Sequence, residues 1–154
     1  MSLPAIRKWR SASGRQRFRE RLVHALEGSL QPVPSKTSPL LTTFQGIALE
    51  RFTGAKVAPS HKRLVIISDM MEYVPGEYTQ YPPADLRYDR FKGLPVYRRV
   101  RTDLHGTQVD ILYIDRSLKP PFSTGVHIRF WIDWIGDNNG QVGTLIKLQG
   151  AAKA

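Results

Sequence analysis

The chain has 154 residues, no cysteine and a formal net charge of +10, and 41% of its residues are hydrophobic. A chain of this length can form one domain with a hydrophobic core, and the composition excludes a disordered polar chain. The absence of cysteine excludes a disulfide framework, a thiolate metal site and a cysteine nucleophile.

Targeting signals are not evident in the sequence. No apolar run approaches the ~18 residues that cross a bilayer. The basic N-terminus lacks the apolar stretch of a secretory signal. We therefore predict a cytoplasmic protein without a membrane span.

The first thirty residues carry half of the net charge. Residues 1–14 are predicted to be an irregular, basic lead-in. Residues 15–28 are predicted to be a helix, because Phe18, Leu22 and Leu26 form one apolar stripe. The basic residues that could contact phosphate groups are Arg7, Lys8, Arg10, Arg15, Arg17, Arg19 and Arg21. A solvated helix face explains the same charges without a ligand, and it is the interpretation that we favour.

A second helix is predicted to start at Ser38, which would be its N-cap, with Pro39 at the first helical position. Its apolar stripe runs from Leu40 to Phe52, and Gly54 is expected to end it. The four apolar residues of 64–67 then predict a parallel strand, 63–68, covered on both faces. Asp69 follows that strand.

The remaining elements follow in order. A long loop is expected over 72–93, a helix from Pro95 to about Leu104 and a strand over 108–114 with Asp115 at its end. An aromatic helix over about 125–136, capped by Ser123 or Thr124, and a short strand over 142–148 complete the chain. Alternating helices and strands predict an α/β fold: a Rossmann-like, three-layer parallel sheet flanked by helices, with few strands.

The order and spacing of these elements resemble a known family. The segments that carry the resemblance are Ser38–Leu41, Lys62–Met70, Val109–Ile114 and His127–Trp131. Together they are similar to the C-terminal two-thirds of a von Willebrand factor A-like domain of the bacterial branch. The resemblance covers roughly residues 15–135, within a partial domain predicted over 15–150. The resemblance implies a non-enzymatic protein-interaction module.

The resemblance also implies a metal site above the carboxyl ends of the strands. By position, Asp69 matches one family ligand, and Thr37 or Ser38 matches another. The family's Asp-x-Ser-x-Ser run is absent. Since Mg²⁺ needs near-octahedral oxygen ligation, we expect a degenerate or absent site and no cofactor, with Mg²⁺ as the alternative.

The family's first strand is missing as well. It would lie beside the strand over 63–68, so Leu64–Ile67 should have an unpaired edge, which favours self-association. Alternatively, the chain is part of a longer protein, or another subunit or residues 1–14 cover the edge.

Three functions compete on the sequence alone. The first is protein binding through the strand ends and the loop tyrosines Tyr73, Tyr78, Tyr81 and Tyr88, since tyrosines offer large contact area with few rotors. The second is nucleic-acid binding through the N-terminal arginines. The third is a phosphoacceptor domain centred on Asp69. Such a domain also needs an acidic pair earlier in the chain, and this sequence has no counterpart of it upstream of Asp69. No catalytic motif is present, so an enzyme is not expected.

Overall fold

The computed structural model describes residues 35–53, 62–115 and 125–149, together with Gln16, Glu20 and His24. The chain divides into two compact units, Met1–Lys36 and Thr37–Ala154. In the first unit, Gln16, Glu20 and His24 are helical and exposed, in agreement with the helix predicted over 15–28. The basic residues predicted to contact phosphates lie outside the described residues, and so do Gly54 and the segment 1–14.

The second unit alternates helices and strands. In chain order they are helix α1 (Leu40–Arg51), strands β1 (Arg63–Ser68), β2 (Tyr73–Val74) and β3 (Tyr78–Thr79), helices α2 (Tyr88–Lys92) and α3 (Pro95–Val100), strand β4 (Gln108–Asp115), helix α4 (Val126–Asp137) and strand β5 (Gln141–Gln149). Strands β1, β4 and β5 form a parallel sheet in the order β1-β4-β5, and β2 pairs antiparallel with β3. The predicted α/β fold with few strands is confirmed.

The core lies between one face of the parallel sheet and the helices. Helix α4 contributes the largest buried side chains, including Phe130, Trp131 and Trp134, as its apolar composition predicts. Phe44 of α1 packs against both tryptophans, with ring centroids 5.7 and 5.1 Å apart. These aromatic contacts fix α1 and α4 on the same side of the sheet.

The other face of the sheet is open over β1. The exposures alternate along this strand, and Val65 and Ile67 are 52% and 48% exposed, whereas Leu64 and Ile66 pack against the core. The prediction that both faces of 63–68 are covered is therefore wrong. A continuous apolar run does not distinguish a strand covered on both faces from one with an uncovered apolar face.

Helix α1 begins later than predicted. Pro39 is its N-cap residue, and Ser38 forms no side-chain cap. The Ser38 backbone instead exchanges two hydrogen bonds with Tyr73, at 2.8 and 3.0 Å. The prediction of Ser38 as N-cap is wrong, because this antiparallel bridge holds Ser38 outside the helix.

The segment predicted as a loop over 72–93 contains regular structure. It forms the β2–β3 hairpin and helix α2, and Pro82 and Pro83 are joined by a cis peptide bond. Phe91 of α2 is fully buried between Tyr78 and Phe130, with ring centroids 4.9 and 5.0 Å away. The loop prediction was wrong because this aromatic packing stabilises segments too short for a periodicity to reveal.

Two helix ends also differ from the prediction. Helix α3 ends at Val100 and not near Leu104, because Arg101 is extended and Asn138 binds the backbone N–H groups of Thr102 and Leu104. Helix α4 has Gly125, in a left-handed conformation, as its N-cap residue in place of the predicted Ser123 or Thr124.

A β-bulge interrupts the pairing of β4 with β5. The register shifts between Val109 and Ile111, and the carboxylate of Asp110 accepts a hydrogen bond from the Thr144 N–H at 2.7 Å. Arg63 and Gln108 also donate to Asp110. A Cβ on Gly143 would collide with the Gln108 and Asp110 side chains, so any other residue there would have to displace them.

Candidate functional site

The carboxyl ends of β1 and β4 lie side by side. Ser68, the last residue of β1, pairs with Tyr113 of β4. Asp69 directly follows β1, and Asp115 ends β4. The structure therefore brings the two predicted strand-end aspartates to the same edge of the sheet, where open α/β folds bind ligands.

Asp69 lies in a tight turn after β1. Its Oδ1 accepts a hydrogen bond from the Met71 N–H at 3.1 Å, and Ser68 Oγ accepts one from the Met70 N–H at 2.9 Å. Met70 is fully buried with φ at 58°, a conformation that side chains other than glycine rarely adopt. The Asp69 carboxylate is thus a turn cap, and its role in binding a ligand stays a prediction.

The buried carbonyl of Met70 accepts two hydrogen bonds from α4. His127 Nε2 lies 2.9 Å from this oxygen, and Trp131 Nε1 lies 2.8 Å from it. His127 Nδ1 lies 2.8 Å from the Tyr113 hydroxyl. Since a carbonyl can only accept, His127 carries its proton on Nε2 and accepts the Tyr113 proton at Nδ1.

His127 is therefore a structural group. It is fully buried, as its predicted role in packing requires. Burial lowers its pKa to about 4, partly opposed by the hydrogen bond to Met70. The imidazole is neutral near pH 7, and both of its nitrogens are occupied by hydrogen bonds that join β4, α4 and the turn after β1.

Glu72 and Gln80 extend this buried network, and neither was singled out from the sequence. The Glu72 N–H donates to Gln80 Oε1 and the Gln80 N–H donates to the Glu72 carbonyl, both at 3.0 Å. Glu72 Oε2 accepts a hydrogen bond from the Leu41 N–H at 2.9 Å. Burial raises the pKa of Glu72 to about 7. A glutamate in a Tyr- and Pro-rich segment carries no sequence signal for burial.

Two of the donors predicted for Mg²⁺ have other partners. The side chain of Asp69 caps the turn, and the backbone of Ser38 is paired with Tyr73. Within the described ranges, no three His, Asp or Glu residues come together as ligands. Thr37 is exposed. A metal ion at Asp69, Thr37 and Ser38 stays a prediction.

The four loop tyrosines differ in their exposure to solvent. Tyr73 and Tyr81 are exposed and contact each other edge to face, with ring centroids 5.7 Å apart. Tyr78 is buried against Phe91. Tyr88 is half-buried and donates to Asp137 Oδ2 at 2.9 Å. Of the four tyrosines, Tyr73 and Tyr81 are therefore the exposed ones.

An apolar surface lies across the sheet, on the side opposite the helices. We call it the outer face; it consists of Val65, Ile67, Leu112, Ile114, Ile146 and Leu148. Ile67, Leu112 and Ile146 are in register across the three strands. Ile146 and Leu148 are 47% and 38% exposed. Contiguous exposed apolar surface of this kind is typical of an interaction site.

A charged group borders the outer face. The Arg63 guanidinium lies at the start of β1 and is 61% exposed. Lys147 and Asp115 approach each other to 3.8 Å at the carboxyl end of the sheet, but they alternate with Ile146 and Ile114 along their strands and so lie on the opposite face. A charged group at the margin of an apolar surface is common in protein interfaces.

No helix of the described segments is both long and apolar enough to span a membrane. Comparisons of the chain with models of protein families, with curated proteins and with solved structures give no match.

Proposed function

We propose that this chain is a non-enzymatic protein-binding module of the von Willebrand factor A type. The single observation that carries the proposal is the exposed outer face, where Val65, Ile67 and Ile146 are each about half exposed. Burying such aliphatic side chains against a partner contributes roughly 25 cal/mol for each Å² removed from water. Proteins without a partner seldom leave this much contiguous apolar surface on a sheet.

The open edge of β1 supports the same function. Among the residues that the structure describes, β1 pairs only with β4. The Gln108 N–H donates to the Lys62 carbonyl, on the β4 side. The backbone groups of successive residues in a strand point alternately to its two sides. Since the Lys62 carbonyl points toward β4, the N–H and C=O groups of Arg63, Val65 and Ile67 point away from β4. No described strand pairs with them on that side, and a strand of a partner can do so.

A photo-crosslinking experiment tests the proposal. A photoreactive amino acid at Ile67 should produce a discrete crosslinked polypeptide in cells that express the chain at its native level. The same group at Leu49 is a matched control, because Leu49 is 61% exposed but lies on α1. The Ile67 product should disappear when Val65 is also replaced by Lys. Equal crosslinking from both positions, or none from Ile67, contradicts the proposal.

Nucleic-acid binding is the second candidate, and one group of described residues favours it. Six exposed cations lie between residues 87 and 101; they are Arg87, Arg90, Lys92, Arg98, Arg99 and Arg101. Arg87 and Arg99 form ion pairs with Asp85 and Glu77, and Lys92 lies 3.7 Å from Asp137. These contacts make a solvated surface the simpler explanation.

Salt dependence separates the two functions. Binding of double-stranded DNA or RNA through these cations and the N-terminal arginines should weaken by orders of magnitude between 50 and 200 mM salt. Binding of a protein to the outer face should change much less. Retained DNA affinity after replacement of Arg98 and Arg101 by Ala, together with the N-terminal arginines, would show that these cations do not carry the binding. A chain that binds no DNA or RNA at 50 mM salt would exclude the nucleic-acid function.

A further inference from the structure

We infer that the partner strand is β1 of a second copy of this chain, paired antiparallel about a two-fold axis. The inference rests on the proposed protein-binding function and names its partner. Two observations support it: the two edges of the sheet differ in their protection against strand pairing, and the sequence of β1 is complementary to itself in an antiparallel pair.

The two edges of the sheet differ in the features that prevent strand pairing. Monomeric proteins protect an edge with bulges, lysines, prolines or charged side chains. Strand β5 has two of these features, the bulge that follows Val142 and the exposed Lys147. Strand β1 has an unbroken register with β4, and its four central residues are aliphatic. Within the described residues, the β1 edge therefore has none of these protective features.

The sequence of β1 fits a second copy of itself. In an antiparallel pair centred on Ile66, Val65 lies opposite Ile67 of the second copy. Both have outward N–H and C=O groups, so the two residues exchange hydrogen bonds, and their β-branched side chains pack together on the outer face. Any shift by one residue would place outer-face side chains on the core side.

Charge complementarity favours the same register. Arg63 begins β1 and the turn that contains Asp69 follows its last residue, so this register brings each Arg63 near the Asp69 turn of the second copy. The Arg63 side chain is 61% exposed, and a guanidinium has five donors, so it can contact Asp69 of the second copy while bound to Asp110. The pairing joins two sheets into one and makes their outer faces continuous. An isologous interface of this type closes a dimer.

The oligomeric state of the purified chain tests the inference. Sedimentation over a wide concentration range should show a monomer–dimer equilibrium. Val65→Lys should weaken it at least tenfold, because it places a cation in the edge pair. Val65→Pro should do the same, since it removes an outward N–H and leaves the bonds to β4 intact. Ile146→Lys is the matched control on the same face, and it should leave the dimer unchanged.

Cysteine crosslinking tests the register, since the chain has no native cysteine. A mixture of Val65→Cys and Ile67→Cys chains should form mixed disulfides faster than either chain alone. Preferential Val65→Cys homodimers would overturn the register. A dimer that persists in both Val65 variants, or is lost equally in Ile146→Lys, would overturn the edge pairing. Circular dichroism verifies that each variant is folded.

The outcomes also distinguish this inference from the proposed function. A purified chain that is monomeric at every concentration, while Ile67 crosslinks to another polypeptide in cells, overturns the self-pairing and leaves the binding module standing. A monomer without crosslinks overturns both.

Discussion

Glu72 caps a helix that begins 32 residues earlier in the chain. Its Oε2 accepts a hydrogen bond from the Leu41 N–H at 2.9 Å, in the first turn of α1, where no side chain of the helix itself provides a cap. The first N–H groups of a helix have no partner within the helix. The segment between β1 and β2 thereby holds α1 in place through a single buried carboxyl group.

Replacement of Glu72 tests this role in stability. Glu72→Ala removes the cap and leaves the Leu41 N–H buried without an acceptor, so the free energy of unfolding should fall by about 1–3 kcal/mol. Glu72→Gln keeps an acceptor oxygen and should cost less than half as much. Urea denaturation measures both. Equal losses would show that the hydrogen bond contributes nothing.

Glu72 and His127 should oppose each other in the pH dependence of stability. Burial raises the Glu72 pKa from 4.5 to about 7 and lowers the His127 pKa from 6.5 to about 4. The folded state binds the extra proton at Glu72, so this contribution is fully present below pH 4.5 and is lost as the pH rises through 7. For His127 the unfolded state binds the extra proton, so its contribution is present above pH 6.5 and is lost as the pH falls through 4.

Single variants should separate the two contributions to the pH dependence of stability. Relative to the unsubstituted chain, Glu72→Gln should gain stability as the pH rises from 4.5 to 7. His127→Gln should gain stability, on the same relative scale, as the pH falls from 6.5 to 4. Urea titrations at half-unit pH intervals measure these differences, and two parallel profiles would contradict the prediction.

Asp137 at the end of α4 is held by two tyrosines. Tyr88 and Tyr97 donate to the same oxygen, Oδ2, at 2.9 and 2.7 Å, and Lys92 Nζ lies 3.7 Å from Oδ1. A carboxylate is unfavourable at a helix C-terminus, so these donors offset the dipole. Tyr88→Phe and Tyr97→Phe should each cost about 1–2 kcal/mol.

A double-mutant cycle tests whether the two tyrosines act through Asp137. In an Asp137→Asn background, each Tyr→Phe change should cost clearly less than in the original chain, because the acceptor is no longer charged. Unchanged costs in that background would indicate that the tyrosine rings, and not their hydroxyls, carry the effect.

A side chain at position 143 should destabilise the fold. A Cβ there would overlap the Gln108 and Asp110 side chains that close the bulge, so Gly143→Ala should destabilise the fold by about 1–3 kcal/mol. Gly136→Ala is the control, because nothing lies within 4 Å of the Cβ that it would add on α4. That change should stabilise the chain by roughly 0.5–1 kcal/mol, since alanine is the better helix former. Thermal unfolding of both variants measures the contrast.

The sequence by itself determined the elements with strong periodicity or long apolar runs. Residues 64–67 predicted β1, and the aromatic residues of 128–135 predicted the buried helix α4, because local hydrophobic pattern and segment length fix these elements. It also predicted that Asp69 and Asp115 each follow a strand of a parallel sheet, and the structure shows that these two strands are neighbours.

Only the tertiary structure decided which groups are buried and which face is open. Val65 and Leu64 are equally apolar in the sequence, yet one is exposed and the other packs on the core. Glu72 is polar, yet it is 2% exposed, since the helix N-terminus that needs its carboxyl group lies in a distant segment. Burial depends on contacts between segments far apart in the chain, and no local pattern records them.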